Sequence, residues 1–433
     1  MEIITASLAL PMTADCPVVD NGAMAVELGK IHAFGTLSEL KEKFPGVEVK
    51  EHPDGVLMPG LVNAHCHLDL VAFHNPPSYG ESDSESMEEE TNEFASMLVD
   101  TIDFKHEAKP DIVIEGVQRG INRLIETGVT CAGDMTHFEG TFKLLRETGL
   151  RAVVFPEVLA GRGEAAQQKF EIALALLEKY SDATHDRIRV GLGPYAPYLL
   201  SRNLLKIISQ HARDASIPLM IHAAESFAEM EFFFDSQGPI ATDVWPSLGW
   251  QELPPAQRKT PIAYLAEIGF FEAPTTIVGG LHLSAKDFPL LARHLVRVVW
   301  CPSSNKLMKH GQFPYAKLTE HGIPTGLGTE SWVGRMGFNM WDEMRLAISE
   351  GANPPPSPKE ALRMATVGGA RALGIDHLIG TLEEGKKEDF IVVHRPSWNR
   401  EEGDDALYKK LITATEPQHV RHVVVGGGIL KSI

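Results

Sequence analysis

No uninterrupted apolar run in this sequence approaches the ~20 residues a helix needs to cross a bilayer, so no helical membrane span is expected. Basic residues are in the minority: 40 Lys and Arg face 58 Asp and Glu, a net charge of −18. That balance argues against a protein that tracks the phosphates of a nucleic acid, which needs a basic face. Cysteine is scarce. The four, Cys16, Cys66, Cys131 and Cys301, lie far apart without a CxxC pair. Such spacing excludes a dense disulfide scaffold and fits a reducing, cytoplasmic setting. No basic segment precedes the short apolar start Met1-Glu2-Ile3-Ile4, so no signal peptide is read. No repeat of fixed period is present. What the chain has in quantity is histidine, 18 residues in an acidic background, two of them one position apart.

With 433 residues, of which 43% are hydrophobic, the chain is globular in composition and long enough for two or three domains. Its body alternates short β-branched or apolar runs with longer helical patterns, the signature of βα units around a parallel sheet. Eight strands are expected: Leu61–His65, Val129–Asp134, Ala152–Val158, Ile188–Gly193, Pro218–His222, Thr276–Leu281, Val296–Cys301 and Pro324–Gly328. Helical spacing falls between them, as in Ile112–Glu126, Gln167–Tyr180, Asn203–Ala215 and Leu290–Leu295. An α/β fold of the (β/α)8 TIM-barrel type is expected, with its site at the C-terminal strand ends. An open doubly wound sheet also alternates, but no Gly-rich phosphate fingerprint follows the first strand.

The ends read differently. Ile3–Leu8, Ala23–Leu28 and Lys30–Phe34 near the start, and Gly380–Gly385, Phe390–His394 and His419–Val425 near the end, look strand-like with little helix. The expectation is one small sheet domain made from both ends, residues 1–58 and 378–433, and a barrel over 59–377. Ser357 followed by Pro358, after Pro354-Pro355-Pro356, reads as an N-cap opening the last barrel helix. Glu81–Glu93 holds seven acidic residues and no Lys or Arg. It reads as a solvated, mobile segment or as a lid over the barrel mouth.

The chemistry lies at the expected strand ends. His65 and His67 alternate with Cys66, so both imidazoles face one side and can ligate a metal. Cys66 faces away, into packing. His222 at the fifth strand end supplies a third imidazole. Glu225, three residues on, is either a proton-transfer residue or a carboxylate serving a helix N-terminus. Glu330 at the eighth strand end can complete a three-histidine, one-acid set and take a proton from water. Ser303 and Asn305, in Cys301-Pro302-Ser303-Ser304-Asn305, line the pocket or form a turn. Trp332 either stacks on an aromatic base or belongs to the core.

Together these motifs resemble the amidohydrolase superfamily, in its branch of aromatic-amine deaminases and chlorohydrolases, and within it aminodeoxyfutalosine and S-adenosylhomocysteine/methylthioadenosine deaminase-like proteins. The likeness is carried by Met58–His67, Gly193–Tyr198, His222–Ser226, Thr276–Ser284, Cys301–Leu307, Gly326–Ser331 and Gly380–Val393. It implies a barrel with a composite β-sandwich built from both termini, and one divalent ion, Zn or Fe, held by His65, His67 and His222, with Glu225 shuttling a proton to a substrate ring nitrogen; Glu330 is the acid that completes this ligand set. It also implies a small-molecule substrate, an aminated purine-nucleoside-like or related heteroaromatic ring. Hydrolysis of a cyclic amide or a carbon–halogen bond is the second possibility, and a catalytically impaired metal- or ligand-binding homologue the third. Oligomeric state, including a homo-oligomer, is not set by these residues.

Three positions depart from the family pattern. Glu330 stands where the family has Asp, Tyr195 where it has a substrate-contacting His, and Gly279 where it has a water-orienting His. His282, three residues beyond Gly279, replaces that imidazole only if the chain has already turned into a loop. An acidic rim from the Glu81–Glu93 run would favour a neutral or cationic substrate.

Overall fold

The computed structural model describes residues 1–15, 17–73, 87–159, 166–181, 186–331, 337–394 and 403–433. Trp332 and the first part of the acidic run, residues 81–86, lie outside these. Each of the eight expected strands is present, with edges moved by at most a few residues. They run Leu61–Cys66, Val129–Thr136, Arg151–Val158, Ile188–Val190 continued by Gly193–Pro194, Leu219–Ala223, Thr275–Gly279, Arg297–Trp300 and Thr325–Leu327. Parallel pairing joins the first four into one ladder and the last four into another. Isolated parallel bridges, Leu192 to Leu219 and Cys66 to Glu330, connect the two ladders at both edges. All six residues of Leu61–Cys66 and all eight of Val129–Thr136 are buried, as strands covered on both faces require.

Helices form where the 3.6-residue spacing predicts. Pro110–Glu126 begins with Pro at its first turn, and it buries Val113, Val117, Ile121 and Leu124 along one face. Arg202–Asp214 is capped by Ser201, and Pro358–Arg363 by Ser357 in a capping box with Glu360. One large apolar cluster includes the fully buried Trp300 and Trp341, and two smaller clusters lie against the strands of the chain ends.

Both chain ends enter one eight-stranded sheet. Its order is Gly428–Ser432, Val420–Val425, Phe390–His394, Glu48–Pro59, Glu2–Ala9, Gly22–Glu27 and Lys30–Thr36, with Val19–Asp20 on the side of Glu2–Ala9. The twelve-residue strand Glu48–Pro59 is the junction, parallel to Glu2–Ala9 and antiparallel to Phe390–His394. It hands the chain to Leu61 through Gly60, where a Cβ would meet the Thr130 side chain at 2.0 Å. Only glycine fits that crossing.

Three expectations are corrected. Gly380–Gly385 is a turn rather than a strand: both glycines have positive φ, 92° and 88°, and Thr381 hydrogen-bonds Glu383 within the turn. The terminal segments hold more helix than their composition suggested, Leu37–Lys43 and Asp404–Ala414. The acidic run enters a 21-residue helix, Met87–Glu107, from Met87 onward. No described helix is long and apolar enough to cross a membrane.

A buried ion pair ties the parallel ladder to the terminal sheet. Arg151 Nε and Nη2 donate to the two Asp389 carboxylate oxygens at 2.6 and 2.9 Å, and the Gly426 amide donates to Asp389 at 2.9 Å. Removing one partner strands the other charge in the interior. Asp389→Ala is therefore expected to cost about 3–5 kcal/mol in denaturant unfolding, and pairing Arg151→Met with Asp389→Leu to recover much of it.

Candidate metal centre

His65, His67, His222 and Glu330 each present one ligand atom, and the four atoms lie within 4.8 Å of one another. Backbone pairing produces this. His67 N–H donates to the Glu330 carbonyl at 2.8 Å, while the Thr329 and Glu330 amides donate to the His65 carbonyl at 2.9 and 3.2 Å. Asn63 Nδ2 adds a 2.8 Å bond to Thr329 Oγ1. The first and last strands are thereby fixed in register at their ends. Glu330 itself adopts φ of 62°, a left-handed conformation uncommon for a non-glycine residue. Its carboxylate lies 3.1 Å from His65 Nε2, 3.4 Å from His67 Nε2 and 3.7 Å from His222 Nε2. The longer side chain of Glu reaches all three imidazoles.

The imidazoles are almost fully buried. Burial pulls His65 down to about 4. At His222 burial acts the same way, but the carboxylates of Glu330 and Glu225 outweigh it and lift the ring to about 9. Burial raises the Glu330 carboxyl, yet His65 and His222 more than offset this and hold it ionised, far below its ordinary range. The cluster draws positive charge inward. His65 Nε2 and Glu330 Oε2 face each other at 3.1 Å with no other partner, and His67 Nδ1 and His222 Nδ1 are buried without a hydrogen bond on the outer ring edges. Three imidazole nitrogens, a carboxylate oxygen and orphaned buried atoms among them fit a divalent cation.

Glu225 sits beside this set, its Oε2 3.4 Å from His222 Nδ1. Its position comes from the following helix, Phe227–Asp235. Ser226 Oγ accepts from the Glu229 amide at 3.3 Å, and the Glu229 carboxylate accepts from the Glu225 amide at 3.0 Å. Glu225 thus precedes the N-cap rather than serving the helix dipole from its first turn.

Tyr195 packs its ring 5.0 Å from that of His222 and 6.1 Å from that of His67. Burial, reinforced by the surrounding carboxylates, keeps its hydroxyl protonated. Cys66 faces away, as its alternation requires, and its thiol contacts Asp134 at 3.7 Å. Asn305 is buried near the seventh strand end with both side-chain polar atoms unpartnered. Ser303 is spent on the fold, since its amide and hydroxyl both donate to Glu343. His282 is not among the four converging residues; its amide donates to the Ala224 carbonyl at 2.9 Å, beside Glu225.

The structure adds residues that sequence inspection passed over. Glu157, a charge inside an otherwise apolar strand, points its Oε2 to within 3.8 Å of His67 Nδ1 and pairs with Lys105. The lone charged position in Arg151–Val158 beyond its first residue was a usable signal. Lys105 carried none, because it arrives from Met87–Glu107, a helix distant in sequence from every motif. Its Nζ also lies 5.3 Å from the centre of the Tyr195 ring.

Gly279 ends its strand at φ of 101°, and a Cβ there would meet Glu225 Cβ at 2.8 Å. The space of a side chain at this position is taken by Glu225.

A model of the amidohydrolase family matches residues 56–430. Relatives named 5-methylthioadenosine/S-adenosylhomocysteine deaminase include one from Syntrophobacter fumaroxidans, 29% identical with 99% of this chain and 92% of the relative covered. Another, from Moorella thermoacetica, is 28% identical over 96% of this chain and 91% of its own. Among solved structures, Helicobacter pylori aminofutalosine deaminase in complex with methylthio-coformycin superposes with TM-score 0.84 at 22% identity, covering 99% of this chain and all of that one. A zinc-bound adenosine deaminase from Xanthomonas campestris gives 0.81 at 23%, covering 99% and 92%. At these identities the structural likeness speaks for the fold.

Because position 279 has neither the space nor the backbone for a Cβ, Gly279→Ala is expected to lower stability by about 2 kcal/mol or more in denaturant unfolding. Gly279→His should be at least as destabilised.

Proposed function

The chain belongs to the amidohydrolase family, and from that premise we propose that it is a metal-dependent deaminase of an aminated purine-nucleoside-like or related heteroaromatic ring. One observation carries this: three buried imidazoles and the Glu330 carboxylate converge on one point, with a second carboxylate, Glu225, held against His222. The names of the deaminase relatives support the same reaction class.

His65, His67, His222 and Glu330 would hold a single divalent ion, Zn or Fe, which when bound polarises a water and lowers its pKa. The remaining work falls to the chain. Glu330 accepts a proton from the attacking water, whose oxygen bonds to the amine-bearing carbon. Glu225 gives a proton to the adjacent ring nitrogen, so the ring accommodates the addition. The carbon–nitrogen bond then breaks, the proton held by Glu330 passes to the leaving amine so that ammonia departs, and the remaining hydroxyl proton returns to Glu225 as the carbonyl forms. Tyr195 and Asn305 line the ring's surroundings, while Glu157, held by Lys105, lies 3.8 Å from the outer nitrogen of His67 and places a carboxylate behind that ring.

The architecture is read as a (β/α)8 barrel over residues 59–377 with a composite sandwich from 1–58 and 378–433. The bridges at both ladder edges support closure of the barrel. The sandwich is supported by Ile4, Met24, Val26, Leu57, Val392 and Val424, which lie in one cluster although they come from strands across the sheet. The free, buried Cys66, Cys131 and Cys301 fit a cytoplasmic protein, and the acidic charge fits one without a nucleic-acid partner. Tyr195 and Gly279 favour hydrolysis of a cyclic amide or carbon–halogen bond as the second reading, since both remove an imidazole.

Purified protein is expected to carry close to one equivalent of Zn or Fe by elemental analysis and to release ammonia from at least one adenosine-type or related aminoheterocycle. The double variant His65→Ala/His67→Ala should lose both metal and turnover. Glu225→Gln should keep the metal and lose roughly a hundredfold or more in kcat. Metal content and turnover unchanged in the double variant would refute the scheme. Halide or cyclic-amide hydrolysis without ammonia release from any amine would select the second reading.

A further inference from the structure

Beside Glu225 lies a group of polar side chains that neither the metal set nor the fold uses. Asn305, 3% exposed, leaves both Oδ1 and Nδ2 without a partner. His310, 6% exposed, leaves both ring nitrogens without one, and the Nε2 of His282 is likewise unpartnered. These are five orphaned atoms on three side chains, and keeping each of them out of water is costly unless something binds it.

The fold holds the three together. The His310 amide donates to the Asn305 carbonyl at 2.9 Å, which ties His310 to the short helix Pro302–Leu307 that follows Arg297–Trp300 and carries Asn305. The His282 ring hydrogen-bonds the His310 backbone, and the His282 amide anchors on the Ala224 carbonyl next to Glu225. Phe94, from the helix that also supplies Lys105, packs edge-on against the His310 ring at 5.3 Å and closes the far side. The Glu225 and Glu330 carboxylates lie close enough to act on the His310 ring, and the ring of Phe227, two residues past Glu225, lies 6.2 Å edge-on from that of His282.

The chemistry of the three narrows what they can take. Burial holds both imidazoles neutral, His282 down to about 4 and His310 below its ordinary value. Asn305 and neutral His310 each offer a donor and an acceptor, and His282 Nε2 adds an acceptor. An anion would sit beside two carboxylates, whereas an uncharged group with both donors and acceptors satisfies every atom. In the proposed reaction Glu225 meets the ring nitrogen next to the carbon that loses its amine. The next ring position therefore falls toward this group.

We infer that Asn305, His310 and His282 form a recognition subsite for a second polar substituent at that ring position, an uncharged carbonyl or amino group with its neighbouring ring nitrogen. The inference rests on the deaminase reading for its placement of the ring. The preferred substrates are rings with an amide- or amidine-like edge in addition to the leaving amine.

Calorimetric binding to the full-length, metal-loaded protein tests this with two rings that have no amine to lose, uracil and 4-pyrimidinone, which differ by the second carbonyl and its adjoining N–H. Uracil is expected to bind roughly tenfold or more tighter. His310→Ala and Asn305→Ala should each bring the two affinities to within about threefold, while His310→Gln, which retains a donor and an acceptor, should keep most of the preference. Equal affinities in the native protein, as when ordered water alone occupies these atoms, overturn the inference. So do absence of binding by either ring and a preference that survives both alanine variants. An intact preference without ammonia release from any amine would instead overturn the deaminase reading and leave the subsite standing.

Discussion

The backbone pairing of Glu330 with the His65–Cys66–His67 segment is the constraint on which the rest of the site depends. It brings together strand ends more than 260 positions apart in the chain, as the Asn63–Thr329 bond also does. Without that register the Glu330 carboxylate would not sit among three imidazoles. The left-handed conformation of Glu330 is part of the same arrangement, since it turns the chain out of its strand while its carbonyl still accepts from His67. Backbone strain of this sort persists only where the surroundings over-determine it.

Burial gives the arrangement its electrostatic character. Asp69, Glu157 and Glu225 lie buried beside the site, and Glu330 is partly buried among the imidazoles. Against them the described residues set the buried Lys105, which pairs with Glu157 and also acts on Asp69. Charges removed from water must be compensated locally. The lift of His222 to about 9 expresses the same demand. A divalent cation meets it, and Lys105 meets the part of it that lies farther from the histidines. The helix Met87–Glu107 thereby becomes part of the site, contributing Lys105 behind His67 and Phe94 against His310.

Much of the frame was legible in the chain because its signals are local. The eight strands show as short apolar runs, and alternation alone puts His65 and His67 on one side with Cys66 on the other. Ser357 and Pro358 announced a helix start through chemistry confined to one turn. Where local reading failed, the cause was also physical. Gly380–Gly385 looked extended until its two glycines took positive φ. Ser303 appeared free for substrate, but Glu343, forty residues on, claims its amide and hydroxyl. His310, Glu157 and Lys105 were passed over because a buried polar residue earns notice only once its neighbours are known.

The departures at positions 330 and 279 divide the same way. That Glu replaces Asp and Gly replaces His could be seen in the sequence, because the flanking motifs mark those positions. Whether the longer acid still reaches the histidines depends on the φ of Glu330 and on its pairing with His65 and His67, and both arise from contacts across the fold. Likewise, only the packed structure shows that Glu225 occupies the space beyond Gly279. Side-chain identity and periodicity are properties of neighbouring residues, so the sequence by itself determined the strands, the first two imidazoles and the acid–base candidates. Convergence, burial and the partners of each polar atom are properties of residues distant in the chain, and the tertiary structure alone decided them.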